Sequence, residues 1–133
     1  MEGLTVDRRL AAFRAADAFT IEIYRAAGSL RRSEATQDLT GELRRNAVRS
    51  GAALVAASAS RQGGETERGH LLAARVALIE SRYYLYLARR FGVLDARRYR
   101  GLTLRLDAAL RELDAILERS GRRPADPAPR EPR

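Results

Sequence analysis

Proline is confined to the last ten residues of the chain. Its four prolines stand at Pro124, Pro127, Pro129 and Pro132, and the 123 residues before them contain none. A proline inside a helix removes a hydrogen bond and clashes with the preceding turn, at a cost of about 3 kcal/mol. A long proline-free stretch is therefore what a set of long helices requires. From Gly121 onward the chain also lacks any large apolar residue. Such a segment cannot bury enough surface to offset its ordering entropy. The sequence divides into a domain over residues 1–120 and a disordered, Pro- and Arg-containing tail over residues 121–133.

Hydrophobic periodicity predicts four helices within the domain. The clearest is the last, where Tyr99, Leu102, Leu106, Ala109, Leu113 and Ile116 recur at spacings of three and four, the apolar arc of a bundle helix. Asp95 is placed to cap its start and Gly121 to close its end. A third helix spans about residues 66–91, after the Gly63-Gly64 break. It carries Leu72, Val76, Ile79, Tyr83 and Tyr86 on one line and Leu71, Ala74, Leu78, Leu85 and Ala88 on a neighbouring one. Two apolar lines exceed what one bundle core requires, so this helix is expected to touch a second partner. A second helix, about residues 36–61, presents a small, Ala-rich face that permits close helix–helix approach. The first, about residues 7–27, offers Leu10, Phe13, Phe19, Ile23 and Tyr24. Short breaks between long helices favour antiparallel neighbours. The expected fold is all-α: an antiparallel up-down-up-down four-helix bundle.

Composition narrows the chemistry. There is no Cys and one His, His70, which excludes disulfides and Cys-ligated metals and leaves one position for a triad histidine. Glu67-Arg68-Gly69-His70 has the Glu-x-x-His spacing of di-iron bundles, but such sites need two of these motifs plus two further inward carboxylates. Glu67 reads instead as a first-turn carboxylate that suits the helix dipole. Gly63-Gly64 is too short for a phosphate loop, and the chain has no lysine to complete one. No catalytic residue, metal or cofactor is expected, and the chain is not expected to be an enzyme. Neither an export signal nor a membrane span is legible, so a cytoplasmic protein without membrane contact is expected.

All 25 basic residues are arginine, giving a net charge of +8. Arg68, Arg75, Arg82 and Arg89 fall seven apart along the third helix, while Arg44, Arg45 and Arg49 cluster on the second. Guanidinium groups grip phosphate oxygens, and a basic patch attracts nucleic acid. The same stripes are also what a solvated face looks like, partly neutralised by Glu67, Glu80, Glu112 and Glu118, and GC-rich coding inflates arginine on its own. Arg44, Arg45, Arg68, Arg75, Arg82 and Arg89 are the candidate nucleic-acid contacts, RNA or DNA. Leu71, Leu78, Glu80, Tyr83 and Tyr86 are the candidate oligomer interface. The tyrosines could equally stack on bases, and the arginines could serve intersubunit salt bridges in a protein-interaction module without any nucleic-acid role.

Three segments resemble a known family. Leu39-Thr40-Gly41-Glu42-Leu43-Arg44-Arg45-Asn46-Ala47-Val48 resembles the "L-x-x-Q-x-R-R-A-A" opening of the bacterial four-helix bundle protein family, which includes proteins encoded within intervening sequences of 23S rRNA genes. Ala74-Arg75, Leu78 and Glu80 resemble its "I-A-R-G-S-L-x-E" segment, and Leu87 to Leu94 its "A-x-x-L-G-Y-L" helix end. The likeness spans about residues 10–118. The family's "N-I-A-E-G" reads Ala53-Leu54-Val55-Ala56-Ala57 here, so the roles of its polar residues do not carry over. The resemblance implies a ring-like homopentamer of four-helix bundles without enzymatic activity. The same superfamily contains the accessory variability determinant of diversity-generating retroelements, a basic pentamer that associates with a reverse transcriptase and its template RNA. A self-associating scaffold that contacts nucleic acid or such a partner is the function this implies.

Overall fold

Each periodic segment is a helix. In a computed structural model, which describes residues 2–28 and 34–121, the elements are α1 (Glu2–Gly28), α2 (Glu34–Ser58), α3 (Glu65–Arg90) and α4 (Ala96–Gly121). The tail expected after residue 120 lies outside the described residues, apart from Gly121, which is the last residue of α4. The break expected between the first two helices lies largely outside them as well.

The ends of the helices follow from local chemistry. α1 begins earlier than its apolar pattern, at Glu2. α2 stops at Ser58, short of the predicted residue 61, because its last turn tightens. The Ala59 N–H is shared between the carbonyls of Val55 and Ala56, and the Ser60 N–H donates to Ala57 at 3.0 Å. The hydroxyls of Ser58 and Ser60 donate to the carbonyls of Val55 and Ala56, satisfying acceptors a helix end leaves orphaned. Gly63 then turns the chain with φ of 83°, in the left-handed region where only glycine is unstrained.

The α3–α4 turn is a Schellman motif. Gly92 has φ of 76°, its N–H donates to Arg89 at 3.2 Å, and the Val93 N–H reaches Ala88 at 2.8 Å. Asp95 caps α4 as its position predicts, its Oδ1 accepting from the Arg98 N–H at 2.8 Å. Leu94 is buried between the two helices' ends, which ties the turn to the core.

Packing closes a square. α1 meets α2 and α4, α3 meets α2 and α4, and the diagonal backbones stay apart. Side-chain bonds give the directions: Arg9 reaches Ala57 and Thr20 reaches Ala47, so α1 and α2 run antiparallel. Arg75 reaches Asp114 and Arg82 reaches Asp107, so α3 and α4 do too. Together with the short α2–α3 turn, this is the up-down-up-down bundle. The most extensive pairing is α2 with α3, and both helices bury small residues: Ala47, Ser50 and Ala57 on one, Ala74, Ala77, Ser81 and Ala88 on the other. Ser50 and Ser81 donate to carbonyls of their own helices, so burying them leaves no hydroxyl orphaned. Phe19, Leu71, Leu78, Leu85, Leu106 and Leu113 fill the centre.

One buried ion pair joins three helices. Glu67 is 3% exposed. Its Oε1 accepts from the Gly63 N–H at 2.7 Å, and its Oε2 lies 3.2 Å from Arg9 Nη1. That Oε2 contact has ion-pair distance but not hydrogen-bond geometry. Arg9 also donates through Nη2 to the Ala57 carbonyl at 2.8 Å. Glu67 thus acts back on the turn in the manner of a capping box, and it is more than a first-turn carboxylate. Removing one member of a buried pair leaves the other charge uncompensated. Glu67→Ala is expected to lose about 3 kcal/mol in urea denaturation, while exposed Glu65→Ala, one turn position away, stays within about 0.5 kcal/mol of the parent.

Candidate nucleic-acid interface

Position on the helix decides what each arginine of α3 can do. An antiparallel neighbour with the same heptad interval meets a heptad stripe at every step. α4 supplies that neighbour: Arg75 Nε donates to Asp114 Oδ1 and Arg82 Nη2 to Asp107 Oδ1, both at 2.7 Å. The hydrogen bond to Asp114, then its charge, raise the Arg75 pKa above the ordinary guanidinium value, against a small opposing effect of burial. Arginine is charged across the accessible pH range in any case. Arg68 points at the Leu117 carbonyl at a long 3.5 Å. The register that pairs residues 75 with 114 and 82 with 107 carries Arg89 to the level of Arg100, a like charge. The ladder is therefore neutralised at Arg75 and Arg82 and cationic toward the α3–α4 corner. Arg89, Arg90, Arg97, Arg98 and Arg100 are exposed on either side of that turn, and its one acid, Asp95, caps α4.

Arg44 and Arg45 lie elsewhere. They sit on the amino-terminal half of α2 beside α1, and the cyclic order of the helices puts the α1–α2 edge across the bundle from the α3–α4 edge. The Arg44 guanidinium lies over the Tyr24 ring at 5.7 Å, and Arg45 donates to Glu42 at 2.9 Å. Tyr24, Gly41, Arg44, Arg45, Val48 and Arg49 line a concavity of about 460 Å³. A second hollow of about 300 Å³, between α1 and α4, is lined by Glu22, Arg25, Arg98 and Arg105 among others. The six predicted arginines therefore form no single surface. The apolar pattern of the first helix includes Tyr24, which is 47% exposed, and assigns no role to the corner arginines 90, 97 and 100; the density of arginine between residues 89 and 100 is the signal for the corner.

The predicted oligomer residues divide as well. Leu71 and Leu78 are fully buried in the chain's own core and so cannot meet a second copy. The reason is angular. At 3.6 residues per turn the buried residues of α3 and its line of Leu72, Val76, Ile79, Tyr83 and Tyr86 point roughly 160° apart, away from one another rather than side by side. The second line is exposed along its whole length, Val76 at 56% and Tyr83 at 58%. Its spacing of four, three, four, three is the seam of a coiled coil. Tyr83 and Tyr86 stack with ring centroids 6.5 Å apart, and Arg90 donates to the Tyr86 hydroxyl at 3.0 Å. Glu80 is exposed beside the seam.

Among the described residues no three His, Asp or Glu side chains converge as a metal site would require. Glu67 of the Glu-x-x-His spacing is held by Arg9 and Gly63. No described helix is long and apolar enough to cross a membrane. Compared with known protein families the chain matches none, and comparison with curated proteins finds no match either.

The α3–α4 ladder is solvent-facing, its four side chains between 39% and 48% exposed. Water screens such pairs. A double-mutant cycle on Arg82→Ala and Asp107→Ala is expected to give a coupling below about 1 kcal/mol in thermal or urea denaturation.

Proposed function

We propose that the chain is a scaffold that associates with copies of itself through the outer face of α3 and presents arginine clusters to nucleic acid. The observation that carries the first half is the exposed heptad seam of Leu72, Val76, Ile79, Tyr83 and Tyr86. An isolated apolar side chain on a surface needs no explanation, but five in coiled-coil register on one helix are the mark of a missing partner helix. A second copy supplies the same seam. The resemblance to the four-helix bundle family supports a ring of five, without catalysis. Such a ring carries about +40 and draws phosphate more strongly than one chain. It also supports a reverse transcriptase or an rRNA-processing assembly as the setting, with the protein in the cytoplasm.

Charge placement supports the second half and reassigns its residues. Arg75 and Arg82 have partners within the chain, so they brace α4 against α3. Arg45 is paired as well, with Glu42, which leaves Arg44 on one edge, and Arg89 with its neighbours at the α3–α4 corner, as the phosphate contacts. The same ladder weakens the competing reading of a pure protein-interaction module held by intersubunit arginine bridges, since its central arginines are spent inside one bundle.

Two measurements test the proposal. Light scattering on the parent chain is expected to give a multiple of the 14.8 kDa chain mass, and Ile79→Asp with Tyr83→Asp to give a monomer of unchanged helical circular dichroism. A parent chain that is monomeric at tens of micromolar, or a double variant of parental mass, overturns self-association through α3. Filter binding to single-stranded RNA is expected to weaken several tens-fold between 50 and 200 mM salt if about four phosphates are engaged. Undetectable binding at the lower salt, or binding indifferent to salt, overturns the nucleic-acid role.

A further inference from the structure

The concavity between α1 and α2 differs in kind from the other basic surfaces. The corner at α3–α4 is a spread of charges on a convex turn, which suits phosphate of any strand. The α1–α2 concavity combines charge with an aromatic plane: Tyr24 is 47% exposed, and the Arg44 guanidinium lies 5.7 Å from its ring centre. Six residues line it, three of them arginine and none a carboxylate. Arg49 donates to the neutral Asn46 amide oxygen, and among the described residues Arg45 alone of the three arginines is paired with an acid, Glu42. Gly41 contributes bare backbone to the floor, beneath the Arg45 guanidinium. The depression is open to solvent, which leaves an extended strand room to lie across it.

Resting on the nucleic-acid reading above, we propose that this concavity binds a single-stranded segment, with one unpaired base stacked on Tyr24 and the flanking phosphates held by Arg44 and Arg49. A duplex keeps its bases stacked on one another and offers only their edges in the grooves, so it cannot bring a base face to a tyrosine. A single strand offers every base face, and stacking on an aromatic ring tolerates any sequence. The Arg44 guanidinium adds a cation beside the ring, which keeps 47% of the Tyr24 residue exposed. The site therefore discriminates strand state, while the α3–α4 corner does not.

The test uses the full chain, a fluorescein-labelled 12-nucleotide RNA and its blunt duplex, read by anisotropy at 50 mM salt, with circular dichroism on every variant. Tyr24→Ala is expected to weaken single-strand binding about 5- to 100-fold, the span of one base–aromatic stack, and to leave duplex binding within about twofold. Tyr24→Phe keeps the ring and is expected to bind as the parent does. Equal loss on both nucleic acids, or single-strand affinity unchanged in Tyr24→Ala, overturns the strand-selective site while leaving the general nucleic-acid role standing. A parent chain that binds neither RNA overturns both.

Discussion

The Arg9–Glu67 pair sets the lower end of the bundle, and much else is positioned by it. Arg9 extends from α1 to the last turn of α2, and Glu67 fixes the Gly63 amide from the first turn of α3. Three helix ends and one turn are thereby held to a single pair of side chains. The rotation of α3 about its own axis follows, because Glu67 shares a face with Leu71, Ala74 and Leu78. A buried charge pair is weak evidence of stability in itself, since desolvation offsets the attraction. Its contribution is specificity: an apolar helix with two usable faces has two ways to dock, and only one places Glu67 against Arg9.

That choice of face is what makes the outer surface of α3 a surface. The helix is apolar on nearly opposite sides. With Leu71, Leu78 and Leu85 turned inward, Leu72, Ile79 and Tyr86 are necessarily turned out. The flank between the two faces carries Arg75 and Arg82 to Asp114 and Asp107. Charge neutralisation in the middle of the α3–α4 edge leaves cationic character at its corner, and the α1–α2 edge holds a separate cluster around Tyr24. One uniform excess of arginine is thus distributed into a brace, a corner and a concavity.

Much of this was legible before folding. The helices, the Asp95 cap and the Gly63 turn depend on neighbours within a few residues, so local spacing reports them. The Ala-rich face of α2 was legible for the same reason, since small side chains permit close helix–helix approach, but which helix packs on it was not. The residues read from sequence as an oligomer interface fall on both faces of α3. Tyr83, Tyr86 and Glu80 are exposed, but Leu71 and Leu78 are core, because two apolar lines on one helix do not say which of them faces inward. The pairing of the α3 arginines was hidden for a related reason. An interval of seven shows that side chains share a face of one helix, and says nothing of the aspartates that a different helix brings to it.

The sequence by itself determined that this chain is helical, where its helices turn, and that arginine is its only cation. Proline exclusion, period and capping act over one or two turns of chain, and they need no tertiary partner to be read. The tertiary structure decided which face of α3 is core, which arginines are already paired, and that Tyr24 stands among three others of them. Those are relations between residues 20 to 58 positions apart, and only the packing of one helix against another brings them within a bond's reach.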